Sequence, residues 1–206
     1  STDPGFPRDA AAWCNSTGNQ LISKETAGGK SVVVIEKGEP KSCNIVTSCE
    51  GKGKTFIMFS DDLDKALATF VLANGAAATG QKVTIFFTFW GLNVIKKLHK
   101  PNVEKDIFGK MFGMMLPSSS RKLKLSKMSM GGIGGKMMRY IMNRKGIDSL
   151  ESLRQQALEN GVEFIACQMS MDVMGVKQEE LLDEVTIGGV ATYMERADNA
   201  NINLFI

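Results

Sequence analysis

Histidine is almost absent from this chain of 206 residues. The single one, His99, stands between lysines with no cluster of partners and reads as a surface residue. A Ser-His-Asp triad needs a positioned imidazole and most zinc sites need several close His or Cys ligands, so both readings fall away. The four cysteines, Cys14, Cys43, Cys49 and Cys167, include no C-x-x-C pair. No charged-then-apolar leader precedes them, so neither a secretory signal nor a disulfide framework is expected, and a reducing cytoplasm is the expected location. Long apolar runs are missing too. Val83–Ile95 is the longest stretch nearly free of charge, well short of the roughly 20 residues that cross a bilayer. The chain opens on Ser1 rather than methionine, which reads as a processed chain or a piece of a longer one.

Acid is missing from one interval. Residues 107–147 hold nine Lys and Arg and no Asp or Glu, so the rest of the chain carries sixteen bases against 22 acids, and the net +3 averages two opposite regions. The same interval holds eight of the thirteen methionines. Methionine among basic residues and glycines suggests an adaptable apolar surface rimmed by positive charge. Four readings stay open: an anionic membrane surface, a subunit interface, a lid over a reactive cysteine, or a core-facing Met stripe behind a solvated basic face. Nucleic acid is not expected as a partner, because Phe108, Phe112 and Tyr140 provide little aromatic interleaving. The run Gly131-Gly132-Ile133-Gly134-Gly135-Lys136 is no phosphate loop: Met130 stands where the first glycine belongs and Met137 where Ser or Thr belongs. It reads as a flexible joint between helices.

With 43% hydrophobic and 23% charged residues the remainder is ordinary globular sequence, long enough to bury a core. Residues 1–38 read as a small α+β piece: a short helix over Arg8–Ser16, then strands Gln20–Glu25 and Ser31–Lys37 joined by a Gly28-Gly29 turn. Residues 39–53 look like a linker, and a main domain covers 54–206. Thr55–Ser60 and Val83–Phe89 are continuous apolar runs, as in buried parallel strands. A helix between them is expected to bury Leu63, Ala66, Leu67, Phe70 and Val71 and to stop at Gly80. Asp148-x-x-Glu151 begins another helix as a capping-box-like start; strands over Val162–Cys167, Glu184–Ile187 and Ile202–Ile206 follow, with a helix over Val190–Ala197 before the last. This alternation predicts an α/β, flavodoxin-like layer: a five-stranded, mainly parallel sheet flanked by helices.

Ligands and reactive groups in such sheets gather beyond the carboxyl ends of the strands. Those ends hold Ser60-Asp61-Asp62, Trp90-Gly91, Cys167-Gln168 and Gly188-Gly189, and Asp61, Asp62, Trp90, Gly91 and Gln168 are candidate substrate-lining residues by topology. Cys167 is the single cysteine within the sheet domain, ahead of a short helical segment over Met169–Val173. A thiolate there could attack sulfur electrophiles with no histidine base; the competing reading is a small buried apolar residue. Cys43 and Cys49 are read as incidental thiols of the linker, with a sulfur relay or a disulfide as the other options, and Cys14 as a packing residue.

The segments K-T-F-I-M-F-S-D-D-L-D-K-A-L-A, the strand ending F-W-G, F-I-A-C-Q-M-S-M-D-V-M-G and A-D-N-A-N-I-N-L-F-I resemble the DsrE/DsrF-like sulfur-carrier family, in its larger form with a long insert after the second strand. The resemblance runs from Lys54 to Ile206, with the insert at about 107–147. It implies a sulfurtransferase-type sulfur carrier in which Cys167 takes sulfane sulfur as a persulfide and relays it to an acceptor thiol. It also implies a persulfide or polysulfide donor, an acceptor carrier of TusA-like or rhodanese-like type, and a homo-oligomer such as a trimer or hexamer. No metal or organic cofactor is implied. The alternative is a non-catalytic assembly or membrane-surface docking module of a multidomain sulfur-metabolism protein. The segments T-D-P-G-F-P-R-D and W-C-N-S-T-G-N with the hairpin resemble the second half of a TusA-like domain. Its Cys-Pro-x-Pro motif is absent, so Cys14 does not inherit a sulfur-binding role.

Overall fold

The computed structural model describes residues 7, 10, 11, 14, 19–28, 30–36, 53–99, 101, 103, 105 and 107–206. The linker, apart from Gly53, and both Cys43 and Cys49 lie outside these residues. In the N-terminal piece, Pro7, Ala10, Ala11 and Cys14 are helical. Cys14 is buried, as a packing residue should be. Strands β1 (Gln20–Ala27) and β2 (Lys30–Glu36) form an antiparallel hairpin closed at Gly28, whose positive φ suits glycine.

The main sheet contains β3 (Gly53–Met58), β4 (Val83–Phe87), β5 (Glu163–Cys167), β6 (Thr186–Gly188) and β7 (Ala200–Phe205). All four neighbouring pairs are parallel, in the order β6-β5-β4-β3-β7. The expected layer is therefore present, with a strand order of its own: the first four strands march outward one way and the last returns to the far side of the first. Every residue of β4 is buried, as the uncharged sequence of a central parallel strand requires. β7 is an edge strand and mostly exposed.

Helix α1 (Leu63–Ala78) follows Asp62 and ends at Thr79, with Gly80 at φ +76°. It buries Leu63, Ala66, Thr69, Phe70 and Ala73, while Val71, expected inside, faces solvent. A 3₁₀ segment (Phe89–Ile95) leaves β4 and leads into the insert, which contains α2 (Ile107–Met115) and α3 (Ile133–Arg144). Helix α4 (Leu150–Glu159) is capped by Ser149, whose hydroxyl accepts from the Ser152 N–H, so the cap sits one residue beyond the expected Asp148. Helices α5 (Gln168–Met174) and α6 (Val190–Asp198) follow β5 and β6.

Helices α1 and α4 pack on one face of the sheet. There Phe70 meets Phe87 and Phe164 with ring centroids 6.4 and 5.7 Å apart. The other face is covered by α6 alone among these helices; its small cluster is Phe86, Ile165, Cys167 and Tyr193.

The basic insert is stitched to the carboxyl end of the sheet. Leu63 N–H donates to the Lys124 carbonyl (2.7 Å), Asp64 accepts from the Ser126 N–H and hydroxyl, and Leu123 and Leu125 enter the main core. Burial would push the Asp64 carboxyl up, but the two Ser126 bonds outweigh it and hold the group below its ordinary range. The glycine run is not the flexible joint expected. Gly131 and Gly132 make a positive-φ turn, while Gly134 and Gly135 lie inside α3. A Cβ on Gly134 would sit 2.1 Å from the Met128 carbonyl oxygen, so here glycine permits backbone-to-backbone packing.

Candidate functional site

Cys167 ends β5 in extended conformation, level with Gly188 of β6. It is 2% exposed. Because residues alternate across a strand, Ile165 and Cys167 point to the α6 face while Phe164 and Ala166 point to the main core. Its cover is thin. Within α6 the one buried residue is Tyr193, whose ring stacks on Phe86 with centroids 5.2 Å apart. The Tyr193 hydroxyl lies 3.2 Å from Thr55 Oγ1, which in turn donates to Asn203 Oδ1 on the edge strand. One tyrosine thus fastens α6 to β3 and, through Thr55, to β7. The expected helix after Cys167 is present as α5 and ends at Gly175, φ +61°.

The other candidate residues gather elsewhere. Asp61, Asp62 and Trp90 line a cavity of about 730 Å³ with Lys122, Lys124 and Met115 of the insert. Burial pushes the Asp61 carboxyl above its usual range, against a 2.9 Å hydrogen bond from Asn93 Nδ2. Asn93 is fully buried, and among the described residues its Oδ1 has no partner. Asp62 accepts from Ser60 (2.8 Å) and pairs with Lys65 (2.8 Å). The position of Gly91 requires glycine: a Cβ there would come within 1.9 Å of the Met58 carbonyl oxygen. Gln168 donates to Asp172 on its own helix (3.0 Å) and is absent from this cavity's walls.

The topological expectation thus divides. Asp61, Asp62 and Trp90 come together, but Cys167 does not line their cavity and points to the other face. The insert roofs this cavity and, among the described residues, contributes no apolar side chain to the cluster around the cysteine, so the lid reading is corrected: the helix over Cys167 is α6. The reason lies in the connection, since the insert leaves β4 on the α1 side and is tied to the start of α1.

Sequence reasoning missed Tyr193, Thr55 and Arg154. The Arg154 guanidinium is buried and donates to the carbonyls of Val94 (2.8 Å) and Lys96 (3.3 Å), which fixes the 3₁₀ segment below the cavity. An arginine in an amphipathic helix gives no sign of such a role. A second cavity, about 790 Å³, lies at the opposite end of the sheet and holds Glu163 and Arg196, paired through two bonds of 2.9 and 3.1 Å. Burial opposes ionisation of Glu163, yet Arg196 and Thr84 hold its carboxyl below the ordinary value. Among the described residues, no thiol lines this cavity.

Among the described residues no three His, Cys, Asp or Glu side chains gather as a metal site would. Among them, too, no helix is long and apolar enough to cross a membrane. The model of the DsrE/DsrF/DrsH-like family matches residues 51–205. The sulfur carrier protein DsrE2 of Allochromatium vinosum is 38% identical over 161 residues, 76% of this chain and 99% of that protein. The uncharacterized protein YrkE of Bacillus subtilis is 44% identical over 155 residues, 75% of this chain and 97% of its own. Among solved structures, ychN of E. coli aligns at a TM-score of 0.45 and 11% identity, over 75% of this chain and 99% of its own.

Proposed function

Because the chain belongs to the DsrE/DsrF/DrsH-like family, we propose that it is a sulfur carrier whose sulfur-bearing group is the thiol of Cys167. One observation carries the assignment. Cys167 is the single cysteine within the family-matched residues 51–205, and it ends a central strand of that domain. Cys14, Cys43 and Cys49 all precede the match. A relative similar over the same span is a named sulfur carrier, which favours this reading over a purely structural module.

The chemistry needs no histidine base, and the chain has a single histidine. The Cys167 thiolate attacks the terminal sulfur of a donor persulfide, R–S–SH. A new S–S bond forms to Cys167 as the donor's own S–S bond breaks, and R–S⁻ leaves with the negative charge. The product is a Cys167 persulfide, and attack by an acceptor thiolate on its outer sulfur repeats the exchange and restores Cys167. Sulfane sulfur is moved with no net oxidation.

A residue 2% exposed cannot meet a donor thiol as it stands. In the proposed cycle α6 swings away from the sheet between the Gly188-Gly189 corner and Asn199, breaking the Tyr193–Thr55 bond, and returns once sulfur is loaded. The closed position then shields the persulfide from water and stray thiols. Intact-mass measurement after polysulfide treatment tests the assignment: the wild type should gain whole sulfur atoms, and Cys167→Ser should not. Equal loading of both proteins overturns it and points to Cys43 or Cys49.

A further inference from the structure

Helix α3 is amphipathic the wrong way round for a core helix. Its buried side is small, made by Gly134, Gly135 and Met142. Its solvent side carries Ile133 (64% exposed), Met137 (47%), Tyr140 (64%) and Ile141 (39%). The spacing i, i+4, i+7, i+8 puts these four side chains in one stripe. Just before the helix, Met128 and Met130 are also exposed, in the loop against which Gly134 packs.

The rim of this stripe is basic. Lys136 flanks it on one side, and Arg144 and Lys145 stand at its end, all exposed. Of the nine bases in residues 107–147, Arg139 is the one held in an ion pair among the described residues, to Glu151 at 2.9 Å. The close fit of Gly134 and Gly135 against the Met128 and Leu123 carbonyls fixes the stripe outward, so it has no route into the core.

We propose that this face of α3 docks on an anionic bilayer, with the apolar stripe entering the acyl boundary and the lysines and arginine on the headgroups. Charge selects the occupant. A second copy meeting it across a two-fold axis would bring the same acid-free interval against it and be repelled. A nucleic-acid backbone would satisfy the bases but leave four apolar side chains against phosphate. A lipid surface offers negative charge and hydrocarbon in the same plane, as a basic amphipathic helix requires. With no spanning helix among the described residues, the contact is peripheral.

Co-sedimentation of the full chain with vesicles tests this. Binding to phosphatidylcholine vesicles containing about 30 mol% phosphatidylglycerol should be at least tenfold tighter than to pure phosphatidylcholine. It should weaken at least fivefold when salt is raised from about 0.1 to 0.5 M. Lys136→Glu with Lys145→Glu should abolish the preference, and Ile133→Ser with Tyr140→Ser should weaken binding about tenfold at low salt. All four positions are exposed, and circular dichroism verifies that the variants stay folded; the salt comparison uses the wild type alone. Equal binding to both vesicles, no binding to either, or unchanged binding by the double variants overturns the proposal. Loss of vesicle binding accompanied by capture of an acidic protein would assign the face to a protein partner instead.

Discussion

The two faces of the parallel sheet are built to different depths. Among the described residues, a cluster of 24 buried side chains lies beneath α1 and α4, Leu123 and Leu125 of the insert included. Beneath α6 the cluster has four, and one of them is Cys167. Buried apolar area is the main source of stability, so the thick face should contribute most of it, and the proposed opening of the thin face should cost less. That division would suit the proposed carrier cycle, with a scaffold that persists and a cover that moves.

Substitutions on either face can break or sharpen this contrast. Phe70→Ala, on the thick face, should produce the largest loss of stability, about 3–5 kcal/mol by chemical denaturation. Well below its midpoint it should leave alkylation of Cys167 as slow as in the wild type. Tyr193→Ala, on the thin face, should cost less, no more than about 3 kcal/mol, yet speed Cys167 alkylation at least tenfold, read by peptide mass mapping. Tyr193→Phe keeps the ring and removes the bond to Thr55, so about 1 kcal/mol and an intermediate rate are expected. If Phe70→Ala exposes the thiol as much as Tyr193→Ala does, the two faces do not differ in the way argued.

The smallest effect belongs to Glu163, at the far end of the thin face. Its carboxyl is held below the ordinary value in the fold by Arg196 and Thr84, against the pull of burial. Ionised Glu163 therefore stabilises the native state at pH values above the unfolded pKa, roughly 4.3, and that contribution fades as pH falls through the lower folded value. The pair is about one-third exposed, so Glu163→Gln should cost about 1 kcal/mol or less at neutral pH. Melting curves of wild type and variant should converge as the pH drops below about 4. A gap that persists in acid would assign the role of Glu163 to its shape and not its charge.

The strands were legible because a central parallel strand is apolar on both sides, as Val83–Phe87 is. For the same reason the direction of Cys167 was not. When both faces of a strand are apolar, alternation pairs Ile165 with Cys167 and Phe164 with Ala166, but the sequence F-I-A-C does not say which pair faces the thicker core. Asp61, Asp62 and Trp90 could be grouped from topology, since strand ends converge, but the roof over them comes from a distant insert. In that insert Ile133, Met137, Tyr140 and Ile141 have the spacing of a core stripe. Only the neighbours of Gly134 and Gly135 reveal that the helix is turned outward. Asn93, Arg154 and Tyr193 carry polar groups whose partners lie 32, 60 and 138 residues away, and local patterns do not encode such distances.

Gly175 and Gly109 meet where the insert touches the helix that follows Cys167. A Cβ on Gly175 would fall 2.4 Å from the Gly109 Cα. Two bare backbones in contact form a joint with no compressible packing between them, more like a dry bearing than a cushion. Helix α2 of the insert and α5, whose first residue adjoins Cys167, therefore share one fixed spacing. A methyl group added at Gly175 would act as a shim, shifting the exit of the cysteine-bearing strand and the seat of the insert together.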